Sequence, residues 1–135
     1  AILTKLLKQG IFKHPEANAM KQRNHELDKK KCLPCEGGLD PLSKDECLNF
    51  LEKLDKDWAL NTDIRSIQRK FTCKNHHEIT SLVNLIIHIS NNEDHHPEVT
   101  FGYNTAVVKY FTYAIDGLSE NDFICAAKVD KITSI

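Results

Sequence analysis

The sequence predicts an α+β fold in the order α-β-β-α-β-β-α, a four-stranded antiparallel sheet with three helices on one face. Two observations carry that prediction. Capping signatures led by Ser43, Asn75 and Ser119 mark three helix starts. Apolar residues in the two intervals between those starts alternate with period two, and the short runs suit hairpins. An antiparallel sheet of this kind is covered on one face and leaves the other face or an edge for self-association.

Residues 1–31 read as a basic extension outside the core, holding eight Lys/Arg against three Asp/Glu. Its opening run, AILTKLLKQGIFK, is faintly amphipathic but contains no Arg and no Ser, which makes a poor transit peptide. The only methionine is Met20, an alternative start for the chain. The remaining residues, 32–135, hold ten Lys/Arg and sixteen Asp/Glu and form the predicted domain. That acidic balance argues against a nucleic-acid surface. No apolar run approaches the roughly 18 residues of a membrane span, so the expectation is a soluble, cytoplasmic protein that uses neither nucleic acid nor membrane. Five cysteines make an odd count and read as reduced thiols, with Cys47, Cys73 and Cys125 as small core residues.

The Pro- and Gly-rich stretch KKCLPCEGGLDPL (30–42) reads as an ordered lead-in loop. The first helix follows Ser43, with Glu46 completing a capping box, and buries Cys47, Phe50, Leu51 and Leu54. Trp58, Leu60 and Ile64, then Ile67, Phe71 and Cys73, alternate as a hairpin. The second helix opens with Asn75 and Glu78 and carries Ile79, Leu82, Val83 and Ile86, with Leu85 and Ile89 widening the face. Pro97 pushes His96 out of the α region and ends that helix near the histidine pair. Val99, Phe101 and Tyr103 begin the second hairpin, which turns at Asn104–Thr105 into a fourth strand, AVVKYFTY. Strand parity places Val107, Phe111 and Tyr113 on one face of it. The third helix runs from about Asp122 to Ile132, where Ala126 and Ala127 permit close packing.

His95 and His96, flanked by Asp94 and Pro97, are the residues best suited to chemistry. An imidazole exchanges protons near neutrality, so the pair could hold a polar substrate and shuttle protons. It could equally do no more than end a helix, and spacing alone leaves both readings open. A metal reading needs further ligands. His88 stands seven residues before His95, and Cys32 and Cys35 form a single CxxC without a second pair. The chain contains no GxSxG, GxGxxG or Walker loop. Proton transfer on a bound small molecule is the chemistry that remains.

The spaced motifs DHHPEV, Tyr103 and GLSENDFICAA, together with the lead-in KKCLPCEGG, resemble the pterin-4a-carbinolamine dehydratases, with the lead-in of bacterial members. The resemblance spans about residues 30–133. It implies the same α-β-β-α-β-β-α fold in a homodimer or homotetramer. It also implies dehydration of 4a-hydroxytetrahydrobiopterin to quinonoid dihydropterin, without metal or organic cofactor. That reaction serves tetrahydrobiopterin recycling and gives a functional link to an aromatic amino-acid hydroxylase. Loss of the 4a-hydroxyl needs an acid for the leaving oxygen and a base for a ring N–H, which imidazoles can supply.

By the resemblance, His95 is a catalytic acid/base and His96 binds and orients the pterin. Pro97 fixes the pocket backbone, and Thr112, Tyr113, Ala114, Ile115 and Asp122 complete the substrate site. Asp122 is also placed to cap the third helix, and Glu98 reads as a surface partner. Two positions depart from the family. Asn91 stands where an acid is usual, and Tyr113 replaces an active-site histidine. A phenol with its ordinary pKa near 10 donates a hydrogen bond but is a poor base at neutral pH. The alternative function is therefore a low-activity pterin-binding or protein-interaction scaffold, since animal members of the family also act as dimerisation cofactors of a transcription factor.

Overall fold

The computed structural model describes residues 26–134. The amphipathic leader run and Met20 lie outside the described residues. The elements follow the predicted order: α1 (Lys44–Leu51), β1 (Ala59–Leu60), β2 (Ile67–Thr72), α2 (His76–Glu93), β3 (Glu98–Phe101), β4 (Thr105–Tyr110) and α3 (Glu120–Ser134). The strands form one antiparallel sheet in the order β1-β2-β4-β3. Ile67, Arg69 and Phe71 of β2 are buried with Ala106, Val108 and Tyr110 of β4, while their alternating neighbours are more exposed. One face of the sheet thus meets the helices, as period-two patterning requires.

The helix starts are built by the residues that announced them. Ser43 Oγ accepts the Glu46 N–H at 3.2 Å, and Glu46 Oε1 accepts the Ser43 N–H at 3.1 Å, a complete capping box. Asn75 Oδ1 accepts the Glu78 N–H at 3.1 Å, but Glu78 Oε2 turns to the Lys74 N–H instead. At α3 only half the box forms, with Asp122 Oδ2 accepting the Ser119 N–H at 3.0 Å. The Ser119 hydroxyl lies 2.6 Å from that of Thr112.

Several predicted boundaries shift. Helix α1 stops at Leu51, so buried Leu54 sits beyond it. The first hairpin strand ends at Leu60, because Ile64 turns back in a left-handed conformation and donates its N–H to the Asn61 carbonyl at 2.9 Å. Tyr103 lies past the end of β3 and is exposed. Strand β4 ends at Tyr110, since the Thr112 N–H is captured by the Gly117 carbonyl at 2.8 Å and Tyr113–Ile115 coil into a 3-10 turn. Tyr113 therefore does not share a strand face with Val107. The core also reaches back past residue 32. Leu27, in a 3-10 turn (Leu27–Lys29), is only 1% exposed, and Lys128 Nζ donates to the Asp28 carbonyl at 2.8 Å. Burying such a side chain contributes about 1.5–3 kcal/mol, which ties residues predicted as an extension to α3.

A buried ionic cluster joins β2 to α3. Asp130 Oδ1 accepts from Trp58 Nε1 and from an Arg69 guanidinium nitrogen, both at 2.7 Å, and Asp130 Oδ2 accepts the Asp55 N–H at 2.8 Å. Burial pushes the Asp130 carboxyl up to about 6, against the opposing pull of Arg69.

Candidate active site

Helix α2 ends at Glu93 because Asp94 adopts the left-handed conformation, with its N–H returned to the Ser90 carbonyl. The reversal delivers His95 and His96 to the short link before β3, and the two diverge. His95 points inward and its ring stacks on Tyr110 at 6.2 Å between centroids and 8° between planes. Its Nε2 lies 2.6 Å from Asp122 Oδ1. His96 faces solvent, with Nε2 4.0 Å from an exposed Asp94 carboxylate, a separation at which an ion pair contributes little.

Asp122 is 0% exposed and is held from several directions. Besides His95 and the Ser119 N–H, its Oδ2 accepts the Thr112 hydroxyl at 2.7 Å. A carboxylate without its proton only accepts, so a hydrogen bond to Asp122 in that form requires the His95 proton on Nε2 and, in the neutral ring, leaves Nδ1 as the acceptor. Asp122 thus caps α3 and orients His95 at the same time.

A cleft of about 330 Å³ opens at this point. Its lining includes His95, His96, Thr112, Tyr113 and Ala114 from the predicted set. Pro97 and Ile115 are not among the lining residues, and Asp122 sits behind His95 rather than on the wall. Leu33 and Cys35 of the lead-in loop line the cleft together with Asp94, Phe111 and Asn121, which sequence reasoning did not assign to the site. The lead-in passes close to the Tyr113–Ile115 turn: a Cβ at Gly37, whose φ is +92°, would stand 3.5 Å from the Ala114 carbonyl.

Asn91, the first departure from the family pattern, is exposed on α2. Two residues on, the Glu93 side chain is only 5% exposed and accepts the Cys32 N–H at 2.9 Å, so this acid holds the lead-in loop. Tyr113, the second departure, is 87% exposed at the cleft mouth. Glu98 lies 3.9 Å from Lys109 on the surface. The residues weighed as metal ligands go to separate places. Cys32 Sγ is 3.5 Å from Cys125 Sγ, and His88 Nε2 is 3.0 Å from Asn92. Among the described residues no three His, Cys, Asp or Glu side chains gather as a ligand set.

A family model described as pterin 4 alpha carbinolamine dehydratase matches residues 40–132. The chain belongs to that family. It is 50% identical over 107 residues to a Nitrosomonas eutropha protein named pterin-4-alpha-carbinolamine dehydratase, covering 79% of this chain and 93% of that relative. A Legionella pneumophila (strain Corby) protein of the same name is 43% identical over 107 residues, covering 79% of this chain and 95% of the relative. A crystal structure of a Brucella melitensis protein, described as a transcriptional coactivator/pterin dehydratase, superposes with a TM-score of 0.65 at 26% identity. It matches 70% of this chain and 99% of its own. The dehydratase family is one of hydro-lyases, and the fold predicted from the sequence is the fold of that structural relative.

Proposed function

We propose that this chain dehydrates 4a-hydroxytetrahydropterin to quinonoid dihydropterin by histidine acid/base catalysis, in tetrahydrobiopterin recycling for aromatic amino-acid hydroxylation. The observation that carries the reading is His95, oriented by buried Asp122 at 2.6 Å, on the wall of the cleft. Water leaves as the C4a–O bond breaks with its electron pair on a protonated oxygen, and a ring N–H proton is taken up as the C=N bond forms. His95 serves as the acid/base, each such transfer contributing about 10²–10⁴-fold. His96, solvent-facing on the same wall, binds and orients the pterin. Thr112 and Ala114 border it, and Tyr113 donates a hydrogen bond from the mouth. A cleft of about 330 Å³ is in the range of small-molecule sites, roughly 300–1,000 Å³. The protein is read as a cytoplasmic homodimer or homotetramer.

The test is the rate of 4a-hydroxytetrahydropterin dehydration by the parent, His96→Ala and Tyr113→His. A working dehydratase shows turnover in the parent, loss in His96→Ala and a modest gain in Tyr113→His. Turnover no faster than buffer in the parent, restored only by Tyr113→His, would leave the second reading. That reading, a pterin-binding or interaction scaffold of low activity, rests on the phenol in place of a histidine.

A further inference from the structure

The side chain of Leu33 is held out in an unusual way. It is 74% exposed, yet both polar groups of its backbone are engaged by one side chain that is itself 8% exposed. Asn121 Oδ1 accepts the Leu33 N–H at 3.0 Å, and Asn121 Nδ2 donates to the Leu33 carbonyl at 2.7 Å. Glu93 fixes the preceding residue through the Cys32 N–H at 2.9 Å. The backbone entropy of this segment is therefore spent in the folded state, while the apolar side chain it carries stays in water at the cleft. Such preorganisation favours a ligand that covers the side chain, because little further ordering is required on binding.

We infer that Leu33 is a substrate-contact, specificity-determining residue, packing on the pterin ring system, and that Asn121 is the positioning residue that presents it. The inference rests on the pterin reading above. The Leu33 side chain and the Tyr113 ring, both exposed, stand on the same cleft as the histidine pair, an arrangement suited to a flat heterocycle whose edges are polar and whose faces are not. Leu33 lies outside residues 40–132, the part matched by the family model, so the lead-in loop supplies this wall of the cleft from beyond that segment.

The experiment is steady-state dehydration by the full chain for the parent, Leu33→Ala, Asn121→Ala and the double variant. It is paired with alkylation of Cys35, which lines the same cleft, with and without a dihydropterin lacking the 4a-hydroxyl. Leu33→Ala is expected to raise KM about three- to tenfold with kcat held within about twofold, since the contact serves binding and not proton transfer. Asn121→Ala should raise KM likewise, and the double variant should add little to either, because both substitutions remove one contact. An unchanged KM in Leu33→Ala, with an active parent, overturns the inference and leaves the dehydratase reading standing. If the parent does not turn over, that reading fails and the dihydropterin decides. Protection of Cys35 that is weaker in Leu33→Ala upholds the contact, whereas equal or absent protection overturns it.

Discussion

Asp122 Oδ1 lies 2.6 Å from His95 Nε2, while the other oxygen of the same carboxylate takes the Thr112 hydroxyl and the Ser119 N–H. One buried side chain therefore joins the end of α2, the β4–α3 loop and the first turn of α3. Its neighbour Asn121 holds the lead-in loop, so consecutive residues of α3 position two different walls of the cleft.

Asp122→Asn should lower kcat by about 10²-fold or more with KM changed by only a few-fold. An amide at that position can donate to Nε2, which favours the tautomer with the proton on the wrong nitrogen. The folded population is checked by circular dichroism at the assay temperature. A kcat within a few-fold of the parent would show that the tautomer of His95 does not matter to the rate.

Asp130 gives a stability prediction with a definite sign. Its folded value is about 6 against an ordinary 3.8, so between those pH values the folded state binds a proton that the unfolded state has released. The contribution is fully present below about pH 3.8 and is lost as pH rises through about 6, amounting to a few kcal/mol. Asp130→Asn lacks this titration. Urea unfolding of both proteins from about pH 4 to 7 should show the parent losing ground to the variant across that window. A constant difference would mean that the carboxyl is not raised.

Most of the scaffold was legible because local chemistry decides it. The Ser43 capping box, the Asn75 cap and the apolar face of α2 all depend on residues within one or two turns of each other. Of the site, the family resemblance placed His95 and Asp122 at one pocket, but their contact spans 27 positions and was not read from the sequence. The Leu33 contact with Asn121 spans 88 positions and joins a side chain to a backbone, so it leaves no periodic trace. The end of β4 was hidden for a related reason. Alternation continues through Phe111 and Tyr113, but the Gly117 carbonyl takes the Thr112 N–H out of the ladder.

Gly117 should not accept a side chain. A Cβ there would stand 2.6 Å from Pro41 Cβ and 3.0 Å from Pro41 Cγ. Pro41 cannot easily retreat, because the adjoining Leu42 N–H is bound to the Leu118 carbonyl at 2.9 Å. Gly117→Ala is expected to cost about 1–3 kcal/mol. It should also raise KM, since the loop from Thr112 to Gly117 carries Tyr113 and Ala114 to the cleft. Thermal unfolding gives the first quantity and substrate saturation the second. An unchanged midpoint would mean that the loop and Pro41 separate freely.

Tyr110 is the position where removing a polar atom should help. Its ring packs against His95 and, at 6.0 Å, against Trp58, yet its buried hydroxyl has no hydrogen-bond partner among the described residues. Burial holds the phenol well above its ordinary 10, so it stays neutral and supplies no charge to the site. Tyr110→Phe keeps both ring contacts and deletes the unpaired oxygen, which should stabilise the protein by about 1 kcal/mol. For a domain of this size that corresponds to a rise of roughly 3–6 °C in Tm. Turnover should stay within about twofold of the parent, because His95 keeps the surface it stacks on. A fall in Tm would show that the hydroxyl is bonded after all, most simply through a buried water, and would make Tyr110 part of the polar frame behind His95.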